Sequence, residues 1–254
     1  MKNRSSQSDP QTGFNSKTIL HVLAALLLST ALAAMASAQT VAFYDGTFPA
    51  STWAGFVAGI TGTVTFTFTP MAPGGFPGTC EKETHKLTAS SGGQAFLYLA
   101  NFNPNNSFTG SFNSLSYSYD LTNPGTHDVL YAIAVEQIVA GVATVYIPNK
   151  TQILDVISLS KTFITAPNPF FTTGLTASQF CKIPSNADYG NDIDCSQNPN
   201  FSSSTQQTWF GYVVGNSFTG TGTGTYKTGI DNWCVVLDGA SGPGGTGRGC
   251  RGVL

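Results

Sequence analysis

The stretch Thr63-Val64-Thr65-Phe66-Thr67-Phe68-Thr69 decides the fold class of this chain. Apolar residues alternate with threonines here, and the side chains of a β-strand point alternately to its two faces. Val64, Phe66 and Phe68 therefore share one face, and the threonines share the other. Such a segment is typical of a strand that is buried on one side. Residues 111–121 repeat the pattern, with leucine and tyrosine opposite serine.

The rest of the chain contains more short strands and little sign of a helix. Residues 94–102 and 129–139 are apolar on both faces, which predicts central strands covered by a second sheet on one side and by loops or a ligand on the other. Further strands are predicted at 142–147, 153–160, 209–214 and 232–237, and a short helical turn at 176–180. Clusters of Gly, Pro, Asn and Ser predict turns at 70–78, 103–106, 123–125 and 215–224. The sequence thus predicts an all-β fold, an antiparallel β-sandwich of the jelly-roll type.

Residues 1–38 have the order of a secretory signal peptide. A basic start is followed by a mostly Leu/Ala run at 18–34 and by Ala36-Ser37-Ala38, which predicts cleavage before Gln39. The alternative is a membrane anchor, but the run is shorter than the roughly 20 residues that span a bilayer. The chain is therefore expected to be exported and extracellular, with no membrane span in its mature part.

The exported part is predicted to form one domain and a tail. Residues 39–238 suit a single β-sandwich domain. Residues 239–254 are rich in glycine and lack an apolar pattern, so they are expected to form a flexible tail. Charged residues make up only 9% of the chain and the net charge is −2. Nucleic-acid-binding proteins present a basic stripe, so no nucleic-acid partner is expected.

All five cysteines follow the predicted cleavage site. In an oxidising compartment, and without a Cys-x-x-Cys spacing, they predict disulfides rather than a metal site. Cys181 and Cys195 bracket a polar loop and are the preferred pair. The spacing leaves open which of Cys80, Cys234 and Cys250 keeps a thiol.

Several segments of the sequence resemble those of a known group of domains. They are Asp45-Gly46-Thr47-Phe48 followed by Trp53, Gly74 to Gly78, Phe112 to Leu121, Leu175 to Phe180, Phe210-Gly211-Tyr212 and Gly229 to Trp233. Together they resemble uncharacterised secreted bacterial domains with a concanavalin-like or laminin-G-like jelly roll. The opening Asp-Gly-x-Phe and the closing Ile-Asp-Asn are also similar to those of galactose-binding-like jelly rolls. The resemblance implies an extracellular domain that binds a glycan or a surface component, with no established activity.

Glu81, Glu83 and His85 occupy every second position of one segment. On a strand they project from the same face. Jelly-roll glycoside hydrolases place carboxylates in a comparable arrangement, one as acid and the other as nucleophile or base. The Glu-x-Asp-x-Glu pattern of those enzymes is absent, however, and an exposed edge strand also carries such charges to remain soluble.

Two further sets of residues are candidates for binding. Asp188, Asn191, Asp192 and Asp194 offer oxygen ligands of the type that calcium prefers, although the same residues are common in simple turns. No other cofactor is expected. Aromatic rings can stack on the flat faces of sugars, and most of those in a sandwich fill its core. Tyr98 and Trp209 lie in segments that are apolar on both faces, and they are the predicted ligand-binding rings.

These features favour a secreted, non-catalytic jelly-roll domain that binds a glycan or a cell-surface component. One alternative is a polysaccharide hydrolase that uses Glu81 and Glu83. Another is a structural or adhesive envelope protein whose odd cysteine links two chains.

Overall fold

A computed structural model describes residues 39–49, 52–75, 78–123, 129–149, 155–157, 160–164, 171–184 and 193–241. The predicted signal peptide, residues 1–38, and residues 242–254 of the predicted tail lie outside this part of the chain. The strands are β1 (Gln39–Asp45), β2 (Ala54–Thr61), β3 (Thr63–Gly75), β4 (Gly78–Thr109), β5 (Ser114–Asn123), β6 (Val129–Val139), β7 (Val142–Pro148), β8 (Asp155–Ile157), β9 (Ser160–Ile164), β10 (Phe171–Leu175), β11 (Phe180–Lys182) and β12 (Gln207–Ala240). The helical turn predicted at 176–180 is present as a 3-10 turn at Ala177–Gln179.

Two very long strands, β4 and β12, organise the sheet. They pair antiparallel from Gln207 opposite Thr109 to Ile230 opposite Glu81. The first part of β12 also pairs with β6, and its last part pairs with β5 and β1. The free side of β4 pairs with β2 and β3. The main path through the sheet is β10-β5-β12-β6-β7-β11, and every recorded pair is antiparallel.

The two ends of β12 lie in layers that face each other across an aromatic core. Phe43 of β1 stacks on Phe210 of β12 with ring centroids 5.3 Å apart. The ring centroids of Tyr119 in β5 and Tyr131 in β6 are 6.4 Å apart. Such contacts between layers fill the interior of a sandwich. The predicted all-β fold class, an antiparallel β-sandwich, is confirmed.

Trp53 connects the layers, and Asp45 fixes its position. The centroid of the Trp53 ring lies 5.6 Å from that of Tyr212 and 5.4 Å from that of Trp233. Tyr212 and Trp233 belong to opposite ends of β12. Its indole Nε1 donates a hydrogen bond of 2.6 Å to Asp45 Oδ2. Asp45 Oδ1 accepts from the backbone N–H of Phe48 at 2.7 Å and holds this residue at a φ of 44°. A bulky residue rarely adopts that angle, so the hydrogen bond to Asp45 is needed to hold it. The Asp-Gly-Thr-Phe segment therefore forms a turn that positions Trp53.

The predicted strands at 63–69, 94–102, 129–139 and 142–147 are confirmed, but two predicted turns are wrong. Residues 103–106 lie inside β4 and residues 215–224 lie inside β12. The glycine-rich segment stays extended, and Gly220 and Gly222, with φ of 132° and 110°, mark a shift of register. Glycine here permits a bulge rather than a reversal of the chain. β12 also continues to Ala240, two residues into the predicted tail.

The described residues contain no helix that is both long and apolar enough to cross a membrane.

Gly211 of β12 lies against the backbone of β4, where a side chain has no room. A Cβ atom at this position would collide with the backbone carbonyl of Asn101 and lie 2.7 Å from the Phe102 ring. Gly211→Ala is expected to lower the free energy of unfolding by about 1–3 kcal/mol, because overpacking forces the backbone apart. Urea denaturation measures the change. Thr221→Ala, on an exposed part of the same strand, is the control, and equal midpoints for the two variants would contradict this packing.

Candidate functional site

One sheet of the sandwich carries a second apolar face that points away from the aromatic core. In β4, Tyr98, Ala100 and Phe102 lie on this face, while Leu97 and Leu99 face the core. The outer cluster consists of Tyr98, Ala100, Phe102, Ala132, Ala134, Val145, Ile147, Ile183 and Val213. This explains why residues 94–102 and 129–139 are apolar on both faces.

A groove of about 590 Å³ opens beside the outer cluster, between β2, the β6–β7 hairpin and β11. Its floor and walls are mostly apolar and include Phe56, Ala58, Val142 and Ile183. Phe56 is 37% exposed and stacks on Phe102 with ring centroids 6.0 Å apart. The groove therefore presents one accessible aromatic ring, carried by β2.

Polar groups line one edge of the groove and are tied to one another. Lys182 Nζ donates a hydrogen bond of 3.2 Å to Gln197 Oε1, and Gln197 Nε2 donates one of 2.5 Å to Asp194 Oδ2. The predicted disulfide between Cys181 and Cys195 is confirmed, with its Cα atoms 4.2 Å apart. The bridge thus links β11, which supplies Lys182, to the chain just before Gln197.

The other two cysteines in the described part of the chain differ in their chemical state. Cys234 is disulfide-bonded, whereas Cys80 keeps a thiol and is buried. Burial raises the pKa of the Cys80 thiol. A buried thiol of this kind is protonated and poorly reactive.

The structure places the two predicted ligand-binding rings differently. Tyr98 is only 1% exposed and packs inside the outer cluster. Trp209 is half-buried at the margin of the same cluster. A role for either ring stays a prediction. Phe56, which the sequence reading did not single out, is the aromatic residue that lines the groove.

The predicted calcium site falls largely outside the described residues. Asp188, Asn191 and Asp192 are not described, and Asp194 forms a turn in which it accepts hydrogen bonds from Ser196. Hydrogen bonds from Ser196 lower the pKa of Asp194. No group of three or more His, Cys, Asp or Glu side chains is arranged to hold a metal within the described part of the chain. The calcium ion stays a prediction.

Glu81, Glu83 and His85 share one face, but this face is the interior. Their exposed fractions are 0%, 3% and 0%. β4 lies between β3 and β12 at these positions, so the interpretation as an exposed edge strand is wrong. They form an interior polar cluster, which includes Asn101, Tyr212, Asn216, Tyr226 and Thr228.

Hydrogen bonds connect most of the interior polar cluster. Glu83 Oε1 accepts from Asn101 Nδ2 at 2.7 Å and from the Tyr212 hydroxyl at 3.3 Å. Neither carboxyl oxygen of Glu81 has a hydrogen-bond partner among the described residues, and Glu83 Oε2 has none either.

The cluster favours uncharged forms. Burial raises the pKa of Glu83 to about 8. Burial, and then the neighbouring Glu83, raise the pKa of Glu81 well above its usual range. Burial lowers the pKa of His85 to about 4, against the opposite effect of its hydrogen bond with Asn216. Near neutral pH the carboxyl pair therefore keeps at least one proton and His85 is neutral.

Comparison with known proteins yields structural likenesses only. No protein-family model and no curated protein sequence matches this chain. The chain is similar to a family 11 carbohydrate-binding module from Clostridium thermocellum, solved with a β-1,3-1,4-mixed-linked tetrasaccharide, with a TM-score of 0.39 and 11% identity over 82% of this chain and 98% of that one. The chain is also similar to a xylan-binding domain from Paenibacillus barcinonensis. The TM-score is 0.30 and the sequence identity is 10%, over 79% of this chain and 93% of that one. At these values the likenesses assign neither a ligand nor a site to this chain.

Removal of the Cys181–Cys195 bridge tests how the groove edge is held. The bridge spans a sequence separation of 14 residues. A loop of this size predicts that Cys181→Ser combined with Cys195→Ser lowers the free energy of unfolding by about 3 kcal/mol. Urea denaturation measures the loss. Mutation is preferred to a reductant, because a reductant also attacks the Cys234 disulfide. An unchanged midpoint would show that the loop is held by other contacts.

Proposed function

We propose that this chain is an exported, non-catalytic domain that binds a polysaccharide or another cell-surface polymer in the groove of its outer face. The observation that carries the proposal is the exposed Phe56 ring in a preformed groove whose edge carries Lys182 and Gln197. Binding sites commonly combine an apolar lining with a few placed polar groups. The ring offers a flat face to the C–H surface of a sugar, and the polar edge offers partners to its hydroxyl groups.

The construction of the groove on paired strands also supports binding. Phe56 lies on β2, and its ring rests on Phe102 of the paired strand β4. Ile183 follows directly after β11, next to a disulfide. A site built on strands loses little conformational freedom when a ligand binds.

The position of the acidic residues favours binding over catalysis. Glycoside hydrolysis uses two carboxyl groups on either side of the scissile bond. Glu81 and Glu83 point into the sandwich, and the described residues that line the groove include no Asp or Glu. The hydrolase alternative therefore has no carboxyl pair in the described lining of the groove.

The disulfide between Cys181 and Cys195 supports export, because such bonds persist in oxidising compartments. It agrees with the signal peptide predicted at residues 1–38. The alternative of an envelope protein linked through an odd cysteine gains no support from Cys80, whose thiol is buried. A bond between chains needs an accessible sulfur.

The groove is tested by a paired substitution of two equally exposed aromatic residues. The purified domain is screened against insoluble and soluble polysaccharides, with and without calcium, and the affinity for the best polymer is measured by calorimetry. Phe56→Ala is expected to weaken binding at least about tenfold, which corresponds to about 1.4 kcal/mol. Tyr44 is also 37% exposed but lies on β1 and bonds to Asn232, so Tyr44→Ala is the matched control.

Two outcomes would overturn the proposed function. One is the absence of binding to every polymer tested in both calcium conditions. The other is equal binding by the wild type and Phe56→Ala, with both proteins folded by circular dichroism. In the second case, the affinity of Trp209→Ala is measured to test whether the ligand binds at the margin of the outer cluster where Trp209 lies.

A further inference from the structure

The groove on the outer face is polar along one edge and apolar elsewhere. In its described lining, Thr144, Lys182 and Gln197 are the only polar residues, and no Asp or Glu is among them. All the other side chains of the described lining are apolar. A ligand that fills the groove therefore meets polar partners on one side and C–H groups on the other.

The tip of the β6–β7 hairpin forms one apolar wall of the groove. Residues 138–143 read Ile-Val-Ala-Gly-Val-Ala, and all six are exposed. Val139 is 45% exposed and Val142 is 64% exposed, and both line the groove. Contiguous apolar patches at a surface, unlike single apolar residues, mark binding sites. This wall therefore suits the apolar groups of a ligand.

The turn of the hairpin keeps an apolar residue at a position that favours a polar one. Val139 pairs with Val142, and Ala140 and Gly141 between them have φ of 51° and 81°. Positive φ at both central residues is typical of a type I′ turn, in which Asn-Gly is the preferred pair. Alanine adopts such an angle less readily than asparagine. Ala140 also lines the groove, so the chain has an apolar wall where asparagine would suit the turn better.

The polar edge presents mainly hydrogen-bond donors. Lys182 Nζ donates a bond of 3.2 Å to Gln197 Oε1, and an ammonium group carries three N–H donors and no acceptor. The Thr144 hydroxyl donates within the hairpin, to the carbonyl oxygen of Val142 at 3.3 Å. Lys182 thus has N–H groups beyond its bond to Gln197, and they suit an acceptor such as a carbonyl oxygen.

We propose that the groove selects saccharides that carry acetyl groups, either as esters or as acetamides. The inference rests on the proposed function and names the class of polymer for the same groove. An acetyl group joins a methyl group to a carbonyl oxygen that only accepts. The methyl group contacts the hairpin wall, and the carbonyl oxygen accepts from Lys182. A bare hydroxyl group against this wall would lose water without gaining a partner, which is costly.

Two features favour an acetylated saccharide over a wholly apolar ligand. The Lys182 ammonium lines the groove, and an apolar ligand would remove water from its remaining N–H groups without replacing it. The exposed Phe56 ring offers a flat face of the kind on which a sugar ring stacks. The groove therefore combines partners for the sugar ring, for the carbonyl oxygen and for the methyl group.

Two matched pairs of saccharides test the selection with the purified protein. Chitohexaose and cellohexaose differ only in carrying an acetamide or a hydroxyl group on each ring. Acetylated xylan oligosaccharides are compared with the same sample after mild alkali has removed the esters. The pairs thus distinguish amides from esters. By calorimetry, the acetylated member of at least one pair is expected to bind at least about tenfold more tightly.

Substitutions in the hairpin test where the acetyl group lies. Val142→Thr brings a hydroxyl group into the wall with little change of shape, and Ala140→Asn brings in an amide at a position where asparagine suits the turn. Each should reduce the preference for the acetylated member at least about threefold without lowering the midpoint of urea unfolding. Ile138→Thr is the matched control, because Ile138 is 42% exposed on the same hairpin but is not part of the described lining.

The outcomes separate this inference from the proposed function. Equal binding within both pairs, while Phe56→Ala still weakens binding of the best polymer, would overturn the selection and leave the proposed function standing. Absence of binding to every saccharide and polymer would overturn both. A preference that survives in Val142→Thr and Ala140→Asn would place the acetyl group away from the hairpin and overturn the inference. Binding to phosphatidylcholine vesicles that Val142→Thr abolishes would assign the hairpin tip to a lipid surface, with the same consequence.

Discussion

The antiparallel pairing of β4 with β12 is the constraint on which the rest of the structure depends. Because the two strands stay paired from Thr109 opposite Gln207 to Glu81 opposite Ile230, each contributes to both layers of the sandwich. A slip of one residue would move every core side chain to the other face. The same register places Asn101 inside and its neighbours Ala100 and Phe102 outside. The interior polar cluster and the outer groove are therefore held by opposite faces of one strand.

The interior polar cluster also specifies this pairing. Tyr212 of β12 donates to Glu83 of β4, and His85 of β4 pairs with Asn216 of β12. Buried polar groups are costly without their partners, so an alternative register that separates either pair is penalised. We infer that the cluster lowers the total stability but raises the preference for one arrangement of the two long strands. Apolar residues at the same positions would tolerate more registers.

Much of the fold follows from local pattern, whereas long-range position does not. The apolar run at 129–139 is β6 with the same bounds, since few other arrangements bury both of its faces. The period of two correctly places Glu81 and Glu83 on one face. The alternation cannot say which face is buried, and the charges of the two glutamates alone predict that this face is exposed to solvent. The segment 215–224 has the composition of a turn, yet β4 supplies a partner for nearly every residue and keeps it extended.

The candidate groove shows why exposure of a ring is hard to predict from sequence. Tyr98 lies on β4, which has β2 on one side and β12 on the other, so its neighbours cover the ring. Phe56 lies on β2, for which β4 is the recorded pairing partner, and its ring stays open on one side. Both residues lie in apolar segments, and the difference arises from the lateral order of the strands. That order depends on the β4–β12 pairing, which brings together residues far apart in the chain, such as Glu81 and Ile230. No local pattern around Phe56 could therefore have identified it as the accessible ring.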